Sequence, residues 1–302
     1  MLKKNIFLLC MVWLSLTGNL MAQQATDTTN LMGKLEKESV QNITNYTTAT
    51  FKTTRLVNGH TVETLGNGVM DVKISHRFGT LNNGAYQFFG LDNATMRLGF
   101  DFGLTNNLMV GIGRSTFQKT FDAFFKIKLL RQSTGKINMP VTVSYIPTIA
   151  LRTLNFDDPA RKNHFSSRLS YTQQLIIGRK FSEKLSLQLM PTFIHRNIAP
   201  LATDPNDIWA IGIGGRQKLS KRISFNVEYY YQLPGHKTDG TTNPLSVGFD
   251  IETGGHVFQL HFTNSTAMTE KNFISETTGK WQKGDILFGF NISRVFNIGK
   301  RH

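Results

Sequence analysis

The stretch Leu245-Ser-Val-Gly-Phe-Asp-Ile-Glu252 decides the fold, because its large apolar residues alternate strictly with small or polar ones. A period of two is the pattern of a β-strand with one apolar and one polar face. The same alternation recurs at residues 71–78, 96–102, 225–231 and 286–293. It is typical both of half-buried strands in soluble sandwiches and of strands that cross a membrane.

The turns between these strands separate the two possibilities. Leu104-Thr-Asn-Asn-Leu108, Phe181-Ser-Glu-Lys-Leu185 and Leu219-Ser-Lys-Arg-Ile223 share one form, and successive starts differ by 77 and 38 residues. The 38-residue spacing predicts further turns, and Thr134-Gly-Lys136 and Thr253-Gly-Gly-His256 lie near those positions. A unit of strand, long loop, strand and short turn therefore repeats about every 38 residues. This rhythm predicts an up-and-down barrel with short turns at one end and long loops at the other.

The pattern predicts an all-β fold, a closed antiparallel up-and-down transmembrane β-barrel of about 12 strands. Most of these strands have the roughly 9–11 residues that a tilted strand needs to cross a bilayer. An even count puts both chain ends at the short-turn end, which is periplasmic in outer-membrane barrels. The strands are centred on residues 69–78, 95–103, 108–116, 120–130, 141–151, 168–178, 185–195, 207–217, 224–232, 244–252, 257–263 and 285–296.

Composition and the N-terminus indicate an exported protein. The chain has 302 residues, 40% of them hydrophobic and 18% charged, which is too apolar for a disordered chain and low in charge for a cytosolic enzyme. Residues 1–22 predict a signal peptide, with Lys3 and Lys4 before an apolar run and a cut before Gln23. The single cysteine, Cys10, lies inside this segment, so disulfides and thiol chemistry are excluded in the mature chain.

Residues 23–66 are predicted to form a periplasmic N-terminal segment, and residues 67–302 the barrel. Segments 47–57 and 60–65 flank Asn58-Gly59, a signal for a tight hairpin turn. Two interpretations stay open: a hairpin in or under the barrel mouth, or two more wall strands, which would give 14. We prefer the first, because the polar run Lys52-Thr-Thr-Arg55 interrupts the apolar face.

Four stretches resemble an uncharacterised, domain-of-unknown-function family of β-barrel proteins from Gram-negative bacteria. They are Thr50-Phe-Lys-Thr-Thr-Arg55, Val62-Glu-Thr-Leu-Gly-Asn-Gly68, Ile74-Ser-His-Arg-Phe-Gly79 and Phe288-Gly-Phe-Asn-Ile-Ser-Arg-Val-Phe296. The resemblance covers roughly residues 45–296. It implies an outer-membrane barrel, and it brings no assigned activity and no functional residues.

Strand parity predicts which charged side chains line the lumen. An Arg or Lys that faces lipid at mid-bilayer costs about 2–4 kcal/mol, so charges within the strands must point inward. These side chains form either a polar pore of mixed charge or a packed, closed lumen, and parity alone favours neither. The predicted lining residues are Asp71, Lys73, Arg77, Arg97, Asp101, Asp122, Lys126, Lys128, Glu228, Asp250, Glu252 and His261.

Evidence for catalysis, metals or nucleic acid is weak. His164-Phe-Ser166 resembles the His-x-Ser arrangement of outer-membrane phospholipase, and residues i and i+2 on one strand face would bring base and nucleophile together. Parity turns both side chains inward, whereas a lipid-cleaving site should face outward. No histidine pair has zinc-ligand spacing with a third ligand nearby. We therefore expect no enzyme, cofactor, metal or nucleic-acid partner.

Three functions remain for this barrel. The first is passive passage of small polar solutes, with loop 264–284 as a gate or an outer cap. The second is a closed barrel that serves binding or assembly through its loops, with an unknown protein partner. The third is a lipid or ester hydrolase at His164 and Ser166. In each case outer-membrane lipid surrounds the barrel.

Overall fold

The computed structural model describes Gly33 and residues 43–156, 164–199 and 201–299. The predicted signal peptide, residues 1–22, lies outside the described residues and stays a prediction. No helix among the described residues is long and apolar enough to cross a membrane.

Twelve long antiparallel strands form a closed barrel, which confirms the predicted fold class and strand count. Each of these strands pairs with the next one along the chain, and the last pairs with the first to close the sheet. The barrel strands are β2 (Val69–Thr80), β3 (Ala94–Gly103), β4 (Leu108–Ser115), β5 (Thr120–Leu130), β7 (Thr142–Arg152), β8 (Leu169–Lys180), β9 (Leu185–Arg196), β10 (Asp207–Lys218), β11 (Ile223–Gln232), β12 (Leu245–Thr253), β13 (His256–Thr263) and β14 (Leu287–Asn297).

The described residues outside the wall contain little regular structure. A small two-stranded sheet pairs β1 (Thr44–Tyr46) with β6 (Ser133–Gly135). One short α-helix, α1 (Glu270–Ser275), lies in the loop between β13 and β14. Short 3₁₀ segments occupy Leu81–Asn83, Ala85–Gly90, Phe117–Lys119, Phe165–Arg168 and Trp281–Lys283.

The two faces of the wall are reversed relative to a soluble protein. On β2, Lys73 and Arg77 point inward and are buried, whereas Ile74 between them is 38% exposed on the outside. Ile213 and Phe249 are likewise exposed at 56% and 45% on the outer faces of β10 and β12. An apolar outer face around a polar interior is the arrangement that a lipid environment favours.

The two ends of the barrel differ as the turn pattern predicts. Residues 104–107, 181–184, 219–222 and 254–255 connect strands tightly at one end, which we call the short-turn end. Longer connections lie at the opposite, long-loop end, and their described residues are 81–93, 153–156, 164–168, 197–199, 201–206, 233–244 and 264–286. The brief link between β4 and β5 is the exception at the long-loop end.

The hydrophobic core lies inside the barrel, which parity did not predict. Ile146, Ile176, Met190 and Ile194 project inward from β7, β8 and β9 and are fully buried. They pack in one cluster with residues from outside the wall, including Phe51, Leu56 and Val62 before β2 and Phe273 and Ile274 of α1. This part of the wall is therefore apolar on its inner face as well, because two inserted segments supply an apolar partner inside.

Candidate functional site: the filled lumen

The predicted lining residues occupy the lumen side of the wall. Ten of the twelve are buried: Asp71, Lys73, Arg77, Arg97, Asp101, Asp122, Lys126, Glu228, Asp250 and His261. Lys128 and Glu252 are half-buried. The lumen thus carries both signs of charge, with little access to solvent.

Residues 50–62, which we call the luminal hairpin, fill the middle of the barrel. The chain doubles back at Asn58 and Gly59, and Arg55 bridges His60 across the turn. Every residue of the segment is buried except Lys52. A Cβ atom on Gly59 would lie 2.2 Å from the Tyr230 hydroxyl oxygen, so the tip of the hairpin fits against the wall only as glycine.

Glu228 on β11 holds the hairpin tip. Its carboxylate accepts hydrogen bonds from three successive backbone N–H groups, those of Val57 at 3.3 Å, Asn58 at 3.1 Å and Gly59 at 2.9 Å. A buried carboxylate is costly unless donors surround it, and the turn supplies those donors. The wall therefore supplies the carboxylate, and the turn of the hairpin supplies the three N–H groups that bind it.

Lys126 on β5 binds the two arms of the hairpin. Its ammonium donates to the carbonyl oxygens of Thr54 at 2.9 Å and Thr61 at 3.1 Å, and to that of Glu63 just beyond the hairpin at 3.0 Å. An ammonium has three donors, and here each is used. The lysine closes the gap between the arms, where a continuous backbone ladder is absent.

Side-chain amides of the wall complete the attachment. Gln188, Gln259 and Asn291 donate to the carbonyl oxygens of His60, Leu56 and Val57 at 2.8, 2.8 and 2.9 Å. Arg77 donates to the side-chain oxygen of Asn58 at 2.7 Å. Among the described residues, the luminal hairpin makes no backbone-to-backbone hydrogen bond with a wall strand. The hairpin is attached to the wall only through side chains, so it is not a strand of the sheet.

Helix α1 enters the lumen from the long-loop end and meets the hairpin. Glu270 is buried and pairs with Arg55 at 2.7 Å, and its carboxylate lies 3.4 Å from His60 Nε2. Phe273 stacks edge-on against Tyr230 with ring centroids 5.2 Å apart. Of the two positions left open for loop 264–284, this part of the loop folds inward.

Other luminal charges pair within the wall. Lys73 bridges Asp71 and Asp101, at 2.7 Å from Asp101. Arg97 binds Asp122 through two nitrogen atoms, with its Nε 2.9 Å from Asp122 Oδ1. These pairs need no partner from the hairpin, because both members belong to β2, β3 and β5.

His164 and Ser166 do not form the strand-face pair that their spacing suggested. Ser166 lies in the 3₁₀ segment Phe165–Arg168, which His164 precedes, and both are exposed. The expectation that both turn inward on one strand is wrong, because β8 begins only at Leu169. Within the described chain, no hydrogen bond joins the His164 ring to the Ser166 hydroxyl.

The described residues hold no cluster of three or more His, Cys, Asp or Glu side chains suited to a metal ion. Neither of the two luminal histidines, His261 and His60, belongs to such a cluster. The ring of His261 is buried without a hydrogen-bond partner, and His60 faces Glu270 and the ring of Phe124.

Comparison with known proteins identifies the family of this chain and finds solved structures with a similar fold. The family model described as "Membrane bound beta barrel domain (DUF5777)" matches residues 51–296. No curated protein matches the chain. Solved structures similar to it include the NanC porin, at 8% identity over 76% of this chain and 100% of that chain, with a TM-score of 0.48. An outer membrane channel from Pseudomonas putida F1 is 15% identical over 78% of this chain and 98% of that chain, with a TM-score of 0.48. Because the family model spans most of its length, the chain belongs to this family of membrane-bound β-barrel domains, as its motifs suggested.

Proposed function

We propose that this family member is an outer-membrane channel for small polar solutes and that its own luminal hairpin closes it at rest. The predicted signal peptide and the apolar outer wall support the outer-membrane location, with lipid as the surrounding partner. The proposal assigns no catalytic role and needs no cofactor.

One observation carries the proposal: the segment that fills the lumen makes no backbone hydrogen bond with a wall strand among the described residues. The twelve strands close on each other without residues 50–62, and side chains alone attach those residues. Withdrawal of the hairpin would leave every strand-to-strand hydrogen bond in place.

The anchoring of the hairpin supports movement toward the short-turn end. On its N-terminal side, the Thr47 N–H donates to the carbonyl of Gln132 in the connection between β5 and β7. On its C-terminal side, the Thr64 hydroxyl donates to the carbonyl of Asn106 at 2.9 Å, in the turn between β3 and β4. Both connections belong to the short-turn end, so the hairpin enters and leaves through one mouth. Nothing needs to be threaded when it is released.

The chemistry of the vacated path supports a polar solute. The pairs of Lys73 with Asp101 and of Arg97 with Asp122 would persist in the wall, while Glu228 and Lys126 would face water. The vacated wall would carry both signs of charge beside the apolar patch of Ile146, Ile176, Met190 and Ile194. Charges of both signs exclude neither cations nor anions outright.

The experiment compares single-channel conductance of the exported chain with that of a variant in which a Gly/Ser linker of equal length replaces residues 50–62. We expect the unaltered chain to be closed for most of the recording and the variant to show large, long-lived steps. The matched control replaces residues 81–93, a loop of the same length at the long-loop end, and should behave like the unaltered chain. A linker variant that folds, as heat-modifiable gel mobility reports, and yet stays silent would contradict the proposal.

A further inference from the structure

A cavity opens at the long-loop end of the barrel, on the side of α1 away from the short turns. Its volume is about 940 Å³, at the upper end of the roughly 300–1,000 Å³ that ligand pockets span. The ends of β7, β8 and β9 form one wall, α1 and the residues after it form another, and residues from 197–199, 201–206 and 238–241 form a third.

Two guanidinium groups line this cavity with unused donors. Arg196, at the end of β9, is 2% exposed and donates to the Pro205 carbonyl at 2.8 Å and the Thr238 hydroxyl at 3.0 Å. Its remaining terminal nitrogen, Nη1, is buried without a hydrogen-bond partner. Arg152, at the end of β7, likewise has a buried and unpartnered Nε. A buried N–H without an acceptor is costly, more so when it carries charge, so an acceptor supplied by a ligand would stabilise these donors.

Two of the carboxylates in the lining, Glu276 and Asp204, are already occupied. Glu276 pairs with Lys271 and accepts from the Gln118 amide at 2.9 Å. The two oxygens of Asp204 accept the backbone N–H groups of Leu201 at 3.2 Å and Asp239 at 3.1 Å. Asp239 itself is exposed at the rim. The cavity therefore combines unsatisfied cationic donors with carboxylates that have their partners, and this balance favours an anionic ligand.

A hydrogen-bond acceptor on the opposite wall restricts the kind of ligand that fits the cavity. Asn272 of α1 is 1% exposed and lines the cavity, and its Oδ1 is buried without a partner. An amide oxygen needs a donor, and an anion without an O–H or N–H group, such as acetate or sulfate, offers none. Donors on one wall and an acceptor on the other fit a molecule that carries a carboxylate and hydroxyl groups together.

We propose that this cavity is a binding site for a small hydroxylated carboxylate of the sugar-acid type. Arg196 and Arg152 would bind the carboxylate, since a guanidinium matches it in charge and geometry. Asn272 would accept from a ligand hydroxyl. The inference rests on the proposed function, which it deepens by naming the class of solute that enters at this mouth.

The test measures binding to the full exported chain in detergent by titration calorimetry. D-gluconate is the probe, D-glucose keeps the hydroxyls without the carboxylate, and acetate keeps the carboxylate without the hydroxyls. We expect gluconate to bind and both controls to bind at least about tenfold more weakly. Equal binding of gluconate and either control would overturn the assignment.

Variants identify the site. Arg152→Gln and Arg196→Gln should each weaken gluconate binding about tenfold or more, because each removes a charge-assisted contact. Arg222→Gln is the matched control, since Arg222 is exposed in a short turn at the other end of the barrel. Arg196 also supports two loops, so Arg152→Gln decides if Arg196→Gln does not fold. Gluconate binding that is unchanged in folded Arg152→Gln would overturn the site.

The outcome is distinguishable from failure of the channel proposal. Binding is measured on the closed chain, whereas conductance is measured on the linker variant of residues 50–62. Conductance without gluconate binding would overturn only the site, and gluconate binding without conductance would overturn only the channel.

Discussion

Glu228 should control how often the luminal hairpin leaves the barrel. Its carboxylate accepts three backbone N–H groups at 2.9–3.3 Å from residues 57–59. A hydrogen bond to a charged group contributes about 1.5–3 kcal/mol. Glu228→Gln keeps one acceptor oxygen and the side-chain volume, so we expect the hairpin to lose about 2–3 kcal/mol of docking free energy. That loss raises the undocked population roughly 30- to 150-fold.

Thiol labelling measures this population directly. The only cysteine of the chain is Cys10, within the predicted signal peptide, so a Thr54→Cys substitution introduces a single thiol into the exported protein. Thr54 is 4% exposed in the docked hairpin, so a bulky maleimide should react only after undocking. Adding Glu228→Gln should accelerate labelling roughly 30- to 150-fold, in proportion to the undocked population.

The matched control is Glu252→Gln. Glu252 pairs with Lys52 of the same hairpin, but the two side chains are 39% and 29% exposed. Exposed pairs contribute less than about 1 kcal/mol, so labelling should accelerate by about fivefold or less. Equal labelling rates with Glu228→Gln and Glu252→Gln would refute the reasoning that the buried carboxylate holds the hairpin.

Three further predictions concern the hairpin and the loop before β14. Lys126→Met removes the ammonium that donates to three carbonyl oxygens and should accelerate the same labelling, at a cost of about 1–3 kcal/mol to docking. Gly178→Ala places a methyl carbon 2.7 Å from a methyl of Val62, and this overpacking of about 1–3 kcal/mol should also accelerate labelling while the barrel stays folded. The backbone N–H of Lys280 donates to Asp285 at 3.0 Å and lowers the pKa of that carboxyl. Because the pKa is lowered in the folded state, the contact contributes fully at neutral pH and is lost as the pH falls below about 4. Hydrogen exchange at the Lys280 amide, corrected for its intrinsic rate, should lose protection on acidification, and Asp285→Asn should abolish that pH dependence.

The wall of the barrel was predictable because each signal for it is local. Alternation along β2 and β12 reports which side chains meet lipid, and the repeated short turns report the order of the strands. The charged residues assigned to the lumen followed from the same rule, since a charge in a strand has no other place to point.

The filling of the lumen was less predictable, because it depends on contacts between distant segments. Asn58-Gly59 signalled a tight turn but carried no information about Glu228, 169 residues further along. A weak signal existed in the wall itself. Leu175-Ile-Ile177 breaks the alternation, and the structure points Ile176 inward, where it joins the core cluster with residues of the hairpin. Apolar residues on both faces of a strand mark the place where something apolar packs inside.

The cavity at the long-loop end could not be predicted from the sequence either. In the sequence, Arg196 stands where a strand gives way to a long loop, and no neighbouring residue marks its side chain as buried. Its burial depends on Thr238, 42 residues away, and on the carbonyl of Pro205. Loop folding of this kind has no period and no short motif from which it could be recognised.

A reversible lock on the hairpin tests the central claim most directly. A Cβ atom on Gly178 would lie 3.5 Å from the Val62 Cβ, within the roughly 3.5–4.5 Å that a disulfide spans. Val62→Cys and Gly178→Cys, combined with Glu228→Gln to favour opening, would tie the hairpin to β8 under oxidising conditions. We predict that the oxidised barrel is silent in a planar bilayer and that reduction with dithiothreitol restores conductance. Equal conductance before and after reduction, with the disulfide verified by mass spectrometry, would contradict the claim that the hairpin is the gate.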